Sequence, residues 1–117
     1  MKNIIHIDNS EFFRKQVKAF LEKEGFEVES FENAHDADIA IVGGAFSMLI
    51  MGLTFSDASG EDFLEKVMDS YAGPVIVLSS SISPESADRY VKMGAKAAIA
   101  KSGSWQETLK THLSALN

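Results

Sequence analysis

Five strand-like segments alternate with five helical patterns along the chain, and this alternation constrains the fold more than any other feature of the sequence. The segments cover residues 4–7, 26–31, 48–52, 75–78 and 97–100. Neighbouring parallel strands need a crossover between them, so regular strand–helix alternation favours a parallel sheet. The pattern predicts an α/β fold in which helices cover both faces of a doubly wound, five-stranded sheet.

Local signals leave some alternatives open within this pattern. Residues 33–43 combine β-branched residues with an apolar helical face, and we predict a helix because a crossover must precede the next parallel strand. The first helix can be capped by Asn9 or by Ser10, and the third by Asp57 or by Ser59. Ser104 and Glu107 have the spacing of a capping box, which predicts the start of the last helix.

The composition limits the classes of function. A chain of 117 residues suits one domain spanning residues 1–117. A formal charge of −6 argues against a nucleic-acid surface, because phosphate contacts need clustered Lys and Arg. The absence of cysteine excludes disulfides and thiolate ligands. No apolar run is long enough to cross a bilayer and the start lacks a signal-peptide pattern, so we expect a cytoplasmic protein without membrane contact.

Small or polar residues follow four of the predicted strands. Asp8 and Asn9 follow the first, Gly52 ends the third, Ser79 ends the fourth and Lys101 follows the fifth. These strand ends converge on one crevice if the strand order is 2-1-3-4-5. An acid, an amide, a hydroxyl and an ammonium in one cleft are typical of a phosphoryl-binding site.

These residues, at these strand ends, resemble the response-regulator receiver domain along the whole chain. Asp8 matches the first member of that family's acidic pair, Ser79 its hydroxyl position and Lys101 its lysine. Ser59-Gly60 fits the loop after the phospho-accepting Asp, and counting back from it places the acceptor position on Gly52. The resemblance implies a flavodoxin-like sheet of order 2-1-3-4-5 and a role in two-component signalling or a phosphorelay.

The chain departs from the family pattern at four positions. Gly52 has no side chain where the family has its nucleophilic Asp, and Asn9 replaces the second acid. Ala98 stands at the position of the aromatic residue that reports the switch, and Ser102 replaces the usual Pro. A site that the resemblance describes as phosphoryl-accepting therefore lacks its acceptor.

The resemblance also places a Mg²⁺ site at Asp8, Asn9 and Thr54. A complete site of three acids and one lysine carries a charge of about −2, whereas Asp8 and Lys101 sum to about zero. The lost carboxylates remove attraction for a cation, so we expect Mg²⁺ to bind weakly at best and no other cofactor to be needed.

Three functions remain open on the sequence. The first is a receiver-like interaction module that cannot be phosphorylated; it is not an enzyme. The second is a phosphoacceptor receiver in which an engineered Asp-to-Gly change occupies position 52. The third is a flavodoxin-like binder of a small ligand.

The resemblance implies a protein partner: a histidine kinase, an output domain or another receiver, with a homodimer also possible. Such partners meet receivers at the fourth helix, fifth strand and fifth helix, where Tyr90, Met93 and Trp105 lie. Trp105 can equally be an ordinary packing residue.

Five other polar residues have structural interpretations. We expect His6 to be a core or interface imidazole with its hydrogen bonds satisfied, and His35 and His112 to lie on the surface. Asp57 and Asp62 are close to position 52 in sequence, but helix capping and helix-dipole complementarity explain them better than a substitute acceptor role.

Overall fold

The computed structural model describes residues 2–44 and 46–116 and contains five strands and five main helices in these residues. The strands are β1 (Asn3–Ile7), β2 (Glu27–Phe31), β3 (Met48–Met51), β4 (Val75–Ser79) and β5 (Ala97–Ala100). The helices are α1 (Glu11–Lys23), α2 (Ala34–Gly43), α3 (Gly60–Ser70), α4 (Pro84–Lys92) and α5 (Trp105–Leu113), the last followed by a 3₁₀ turn at Ser114–Leu116.

The strands form one parallel sheet in the order β2-β1-β3-β4-β5. This order confirms the flavodoxin-like fold predicted from the sequence. It places β2 at one edge of the sheet. Because all strands run in the same direction, the residues that follow β1, β3, β4 and β5 meet at one edge.

Side-chain alternation along the strands builds two separate apolar cores. The strand residues that face α2, α3 and α4 are Ile5, Ile7, Leu49, Met51, Val75 and Val77. Those that face α1 and α5 are Ile4, Val28, Met48, Ile50, Ile76, Leu78 and Ile99. All thirteen are buried, and burial of each such side chain contributes about 1.5–3 kcal/mol.

The ambiguous stretch at 33–43 is helical, as predicted. Ala34, Ala37 and Ile41 turn inward from α2, while Ile39 and Val42 are 61% and 76% exposed. Apolar residues on both sides of the helix made its pattern resemble a strand. No helix among the described residues is long and apolar enough to cross a membrane.

Two helix starts follow the predicted capping, and a third does not. The Ser10 hydroxyl accepts a hydrogen bond from the Phe13 N–H at 3.3 Å, and the Ser59 hydroxyl accepts one from the Asp62 N–H at 3.1 Å. The predicted capping box at Ser104 is wrong. Its ψ of 43° lies outside the extended region of a capping residue, and its side chain makes no cap hydrogen bond.

Candidate functional site

The six residues predicted for the phosphoryl and Mg²⁺ sites line one pocket at the carboxyl edge of the sheet. The pocket has a volume of about 180 Å³ and contains Asp8, Asn9, Gly52, Thr54, Ser79 and Lys101. They meet because β1, β3, β4 and β5 end side by side.

An ion pair joins the two ends of this pocket. Lys101 Nζ lies 2.7 Å from Asp8 Oδ2, and the side chains of Lys101 and Asp8 are only 1% and 10% exposed. Burial lowers the pKa of Lys101 below its ordinary value, while the hydrogen bond and charge of Asp8 act in the opposite direction. Each charge therefore depends on the other for compensation of its lost hydration.

The start of α1 supplies three further contacts that the sequence analysis missed. The Ser10 N–H donates to Asp8 Oδ1 at 2.9 Å, and the Arg14 guanidinium donates to the Asp8 carbonyl oxygen at 2.8 Å. Lys101 Nζ lies 3.7 Å from the centre of the Phe13 ring. The position of α1 in the sequence could have indicated these contacts. A helix that begins directly after β1 places its first turn over the end of that strand.

Gly52 is not required by the backbone. A Cβ atom built at this position would lie 3.5 Å from Asp8 Oδ2 and 3.5 Å from the Ile7 carbonyl oxygen, which are ordinary van der Waals contacts. Its φ is not in the left-handed region, which in the described residues holds only Gly25, Gly94 and Gly103. A Cβ atom therefore fits at position 52, and glycine is not needed there to avoid a clash with its neighbours.

Ser79 presents a hydroxyl group to the pocket. The residue is 8% exposed, and its Oγ accepts the Ser81 N–H at 3.1 Å. The Lys101 N–H donates to the Ser79 carbonyl oxygen at 2.9 Å, so β5 holds the end of β4 in place. Among the described residues the Ser79 hydroxyl donates to no acceptor, which leaves it free to donate to a ligand.

The residues present fit a Mg²⁺ ion poorly. Both carboxylate oxygens of Asp8 are engaged, one by the Lys101 ammonium and the other by the Ser10 N–H. Asn9 and Thr54 are exposed and neutral. No group of three His, Cys, Asp or Glu residues in the described part of the chain could hold a metal ion. A cation would have to compete with Lys101 for Asp8, the one carboxylate that lines this pocket among the described residues.

His6 lies behind this pocket on the same face of β1 as Asp8. The prediction that its hydrogen bonds are satisfied is wrong, because its side chain is fully buried and neither ring nitrogen has a partner among the described residues. Its neighbours in register are Ser30 on β2, whose hydroxyl also lacks a partner, and Ile50 on β3. Burial lowers the pKa of His6 to about 4, against the opposing charge of Asp8.

Asp57 is a cap, but of a different helix from the one predicted. Its carboxylate accepts the Ala34 and His35 N–H groups at 2.9 Å each, and these donors hold the pKa of Asp57 below its ordinary value. The loop after Gly52 is thereby tied to the start of α2. Asp62 lies in the first turn of α3, as expected.

The three residues predicted for a partner face do not form one exposed patch. Tyr90 is 7% exposed and belongs to the core beneath α2, α3 and α4. Trp105 is 6% exposed and packs against Phe20 in the other core, with ring centres 5.6 Å apart. Only Met93 and the switch position Ala98 are half-buried. The two aromatic residues lie on opposite faces of the sheet. Their separation could not be read from the sequence alone.

The prediction that His35 and His112 lie on the surface is confirmed for His35 only. His35 is exposed at the start of α2, as expected, whereas His112 on α5 is half-buried. Neither lines the carboxyl-edge pocket.

Solved structures show the same fold. The receiver domain of the Francisella response regulator 1452 has a TM-score of 0.89 at 18% identity, covering 99% of this chain and 96% of that chain. Chemotaxis response regulator CheY4 of Vibrio cholerae has a TM-score of 0.86 at 23% identity, covering 100% and 99%. A CheY-like receiver domain protein from Methanospirillum hungatei has a TM-score of 0.86 at 25% identity, covering 99% and 94%.

No curated protein matches the chain in sequence. The family model of the response regulator receiver domain matches residues 4–113, which include all five helices and, apart from Asn3 at the start of β1, all five strands. The carboxyl-edge pocket lies inside this match. The chain therefore belongs to the response regulator receiver domain family of two-component signalling.

Proposed function

We propose that this receiver domain signals without accepting a phosphoryl group, and acts by binding another protein. One observation carries the proposal: the acceptor position holds Gly52, in a pocket whose shape would admit a side chain. Phosphoryl acceptance by a receiver needs a carboxylate nucleophile at this position, and glycine provides none.

Asp8 is a poor substitute nucleophile. Its two carboxylate oxygens already bind the Lys101 ammonium and the Ser10 N–H, so its negative charge is already compensated within the protein. Attack by Asp8 would break a buried ion pair. We therefore propose that the site works without Mg²⁺ or another cofactor and has no enzymatic activity of its own.

Family membership supports a protein as the partner. We propose a histidine kinase, an output domain or another receiver, or a second copy of the chain, in the cytoplasm. The face of α4, β5 and α5 remains a candidate surface. On α4 it exposes Val91, 45% accessible, beside the half-buried Met93, whereas Tyr90 and Trp105 act as packing residues beneath it.

Two-dimensional NMR on the ¹⁵N-labelled protein tests this proposal. The amide signals of Asp8, Gly52 and Lys101 are followed as Mg²⁺ is added and then as acetyl phosphate is added. We expect them to keep their positions apart from small effects of ionic strength. Saturable shifts that cluster at these three residues would contradict the proposal.

A second candidate function rests on the room at position 52. Because a Cβ atom there meets only ordinary contacts, and Asp8, Ser79 and Lys101 line the same pocket, the framework would accept an Asp. A chain whose natural gene encodes Asp at this position would be an ordinary phosphorylation switch carrying an introduced glycine. The codon at position 52 of the natural gene distinguishes the two: an Asp codon supports the switch, and a Gly codon removes it.

A further inference from the structure

The edge strand β2 offers hydrogen-bonding groups that the fold does not use. Among the described residues β2 pairs only with β1. The Glu27 N–H donates to the Lys2 carbonyl at 3.0 Å, and the Phe31 carbonyl accepts the Asp8 N–H at 3.0 Å. Backbone groups alternate in direction along a strand, so those of Val28 face the open edge of the sheet. The same holds for Ser30, which leaves two residues free to pair with an added strand.

One face of this edge combines negative charge with an apolar groove. Glu27 and Glu29 are both exposed, and Glu29 is in register with Ile5, which faces α2. Within the residues that the structure describes, neither carboxylate forms an ion pair. A groove of about 300 Å³ lies beside them, with Ala40 and Phe46 among its apolar walls.

The other face of β2 carries the opposite charge. Ser30 borders a shallow groove of about 200 Å³ that is also lined by Glu11, Arg14, Lys15 and Lys18 of α1. Lys15 pairs with Glu11 at 3.3 Å and Arg14 with Glu32 at 3.8 Å, so the lining keeps an excess of positive charge through its three cations against one carboxylate. A strand added to β2 would therefore meet carboxylates on one face and cationic side chains on the other. This asymmetry specifies which residues of a docked segment can point to which face.

We propose that β2 binds an extended segment of a partner protein by strand addition, with basic residues of that segment facing Glu27 and Glu29. A second copy of this chain fits less well. In a continuous sheet with like faces aligned, it would bring its own two carboxylates to the same face, and like charges destabilise cross-strand pairs. The net charge of −6 also favours a basic partner. This surface is independent of position 52.

A synthetic peptide tests the proposal. The probe is an acetylated and amidated heptapeptide that alternates Lys and Thr, titrated at low ionic strength into the ¹⁵N-labelled protein. The expected result is saturable binding with the largest amide shifts at Val28 and Ser30. The same peptide with Glu in place of Lys, and a fully N-methylated form of the Lys peptide, are expected not to bind, since one lacks the charge and the other the backbone donors.

Charge reversal of the edge provides the matched comparison. Glu27→Lys with Glu29→Lys is expected to weaken binding by about tenfold or more, whereas Glu65→Lys with Asp69→Lys, an equal charge change at exposed positions of α3, should alter it by less than about twofold. Several results would overturn the proposal. They are no binding to the native protein, equal weakening by both double variants, binding of the N-methylated peptide, or amide shifts that avoid β2.

Discussion

Gly52 supplies no side chain to the carboxyl-edge pocket. The pocket therefore lacks a nucleophile at this position, although a Cβ atom would fit there. A Cβ atom there would make only ordinary contacts, the backbone is not left-handed, and Asp8, Ser79 and Lys101 line the same pocket. Gly60 is different, because a Cβ atom there would lie 2.6 Å from the Leu53 Cα atom. Packing therefore requires glycine at position 60 but not at position 52.

Substituting each glycine by alanine exposes this difference. Gly52→Ala should raise the free energy of unfolding by about 0.4–1 kcal/mol, because alanine restricts the unfolded chain without straining the fold. Gly60→Ala should lower it, since the new methyl group meets backbone atoms. Urea denaturation measures both, and destabilisation by Gly52→Ala would show that glycine is structurally required at position 52.

The ion pair between Lys101 and Asp8 should dominate the stability of the pocket. Lys101→Met leaves the Asp8 carboxylate buried without its cation and should cost about 3 kcal/mol or more. Lys110→Met, which removes an exposed lysine 3.6 Å from Glu24, should cost less than about 1 kcal/mol. Chemical denaturation of the two variants at the same salt concentration compares them. Equal losses would mean that the buried pair is no stronger than a surface one.

His6 should make the fold sensitive to acid. Its pKa is about 4 in the fold and 6.5 as a free side chain, so between these pH values the unfolded chain binds a proton that the folded chain does not. Stability therefore rises with pH across this window, and the proton costs the fold about 3 kcal/mol by pH 4. His6→Leu should flatten that part of the pH profile, measured by denaturation at several pH values.

If His6→Leu leaves the slope between pH 4 and 6.5 unchanged, His6 is not the source of the acid sensitivity.

At the scale of elements, caps link parts of the chain that the sequence does not show as neighbours. Sequence spacing identified Ser10 and Ser59 because a capping hydroxyl lies three residues before the N–H that it binds. It could not assign Asp57 to α2, which lies more than twenty residues earlier, because that contact depends on how the loop after β3 folds back. The prediction at Ser104 is wrong for a different reason. Ser104 and Glu107 have the spacing of a capping box, but the backbone of Ser104 does not adopt the extended conformation of a capping residue.

Loss of the Asp57 cap should loosen the start of α2. Asp57→Ala removes the acceptor of the Ala34 and His35 N–H groups, so both amides should exchange with solvent faster. The lowered pKa of Asp57 means that this stabilisation is present above pH 3.8 and is lost as the carboxylate protonates at lower pH. Hydrogen exchange measured by NMR at neutral pH tests this.

Asp69→Ala on α3 serves as the control, since Asp69 is exposed. It should leave exchange at Ala34 and His35 unchanged. Unaltered protection of these two amides in Asp57→Ala would show that the cap contributes little.

For the whole molecule, the order of strands and helices was predictable because each local pattern agreed with the same architecture. That order also brought Asp8, Gly52, Ser79 and Lys101 to one edge. What could not be predicted was which partner each side chain selects within the fold. Three features depend on packing across elements: the Lys101–Asp8 pair, the lack of a hydrogen-bond partner for His6 among the described residues, and the burial of Tyr90 and Trp105 in separate cores.

We propose above all that this receiver domain does not accept a phosphoryl group because position 52 holds glycine, so that the pocket lacks both the nucleophile and a second carboxylate beside Asp8 to attract Mg²⁺. The most direct test is the intact mass of the native protein and of Gly52→Asp after incubation with acetyl phosphate and Mg²⁺. The claim predicts an acid-labile adduct of one phosphoryl group on Gly52→Asp and none on the native protein. An adduct on the native protein, or none on either, would contradict it.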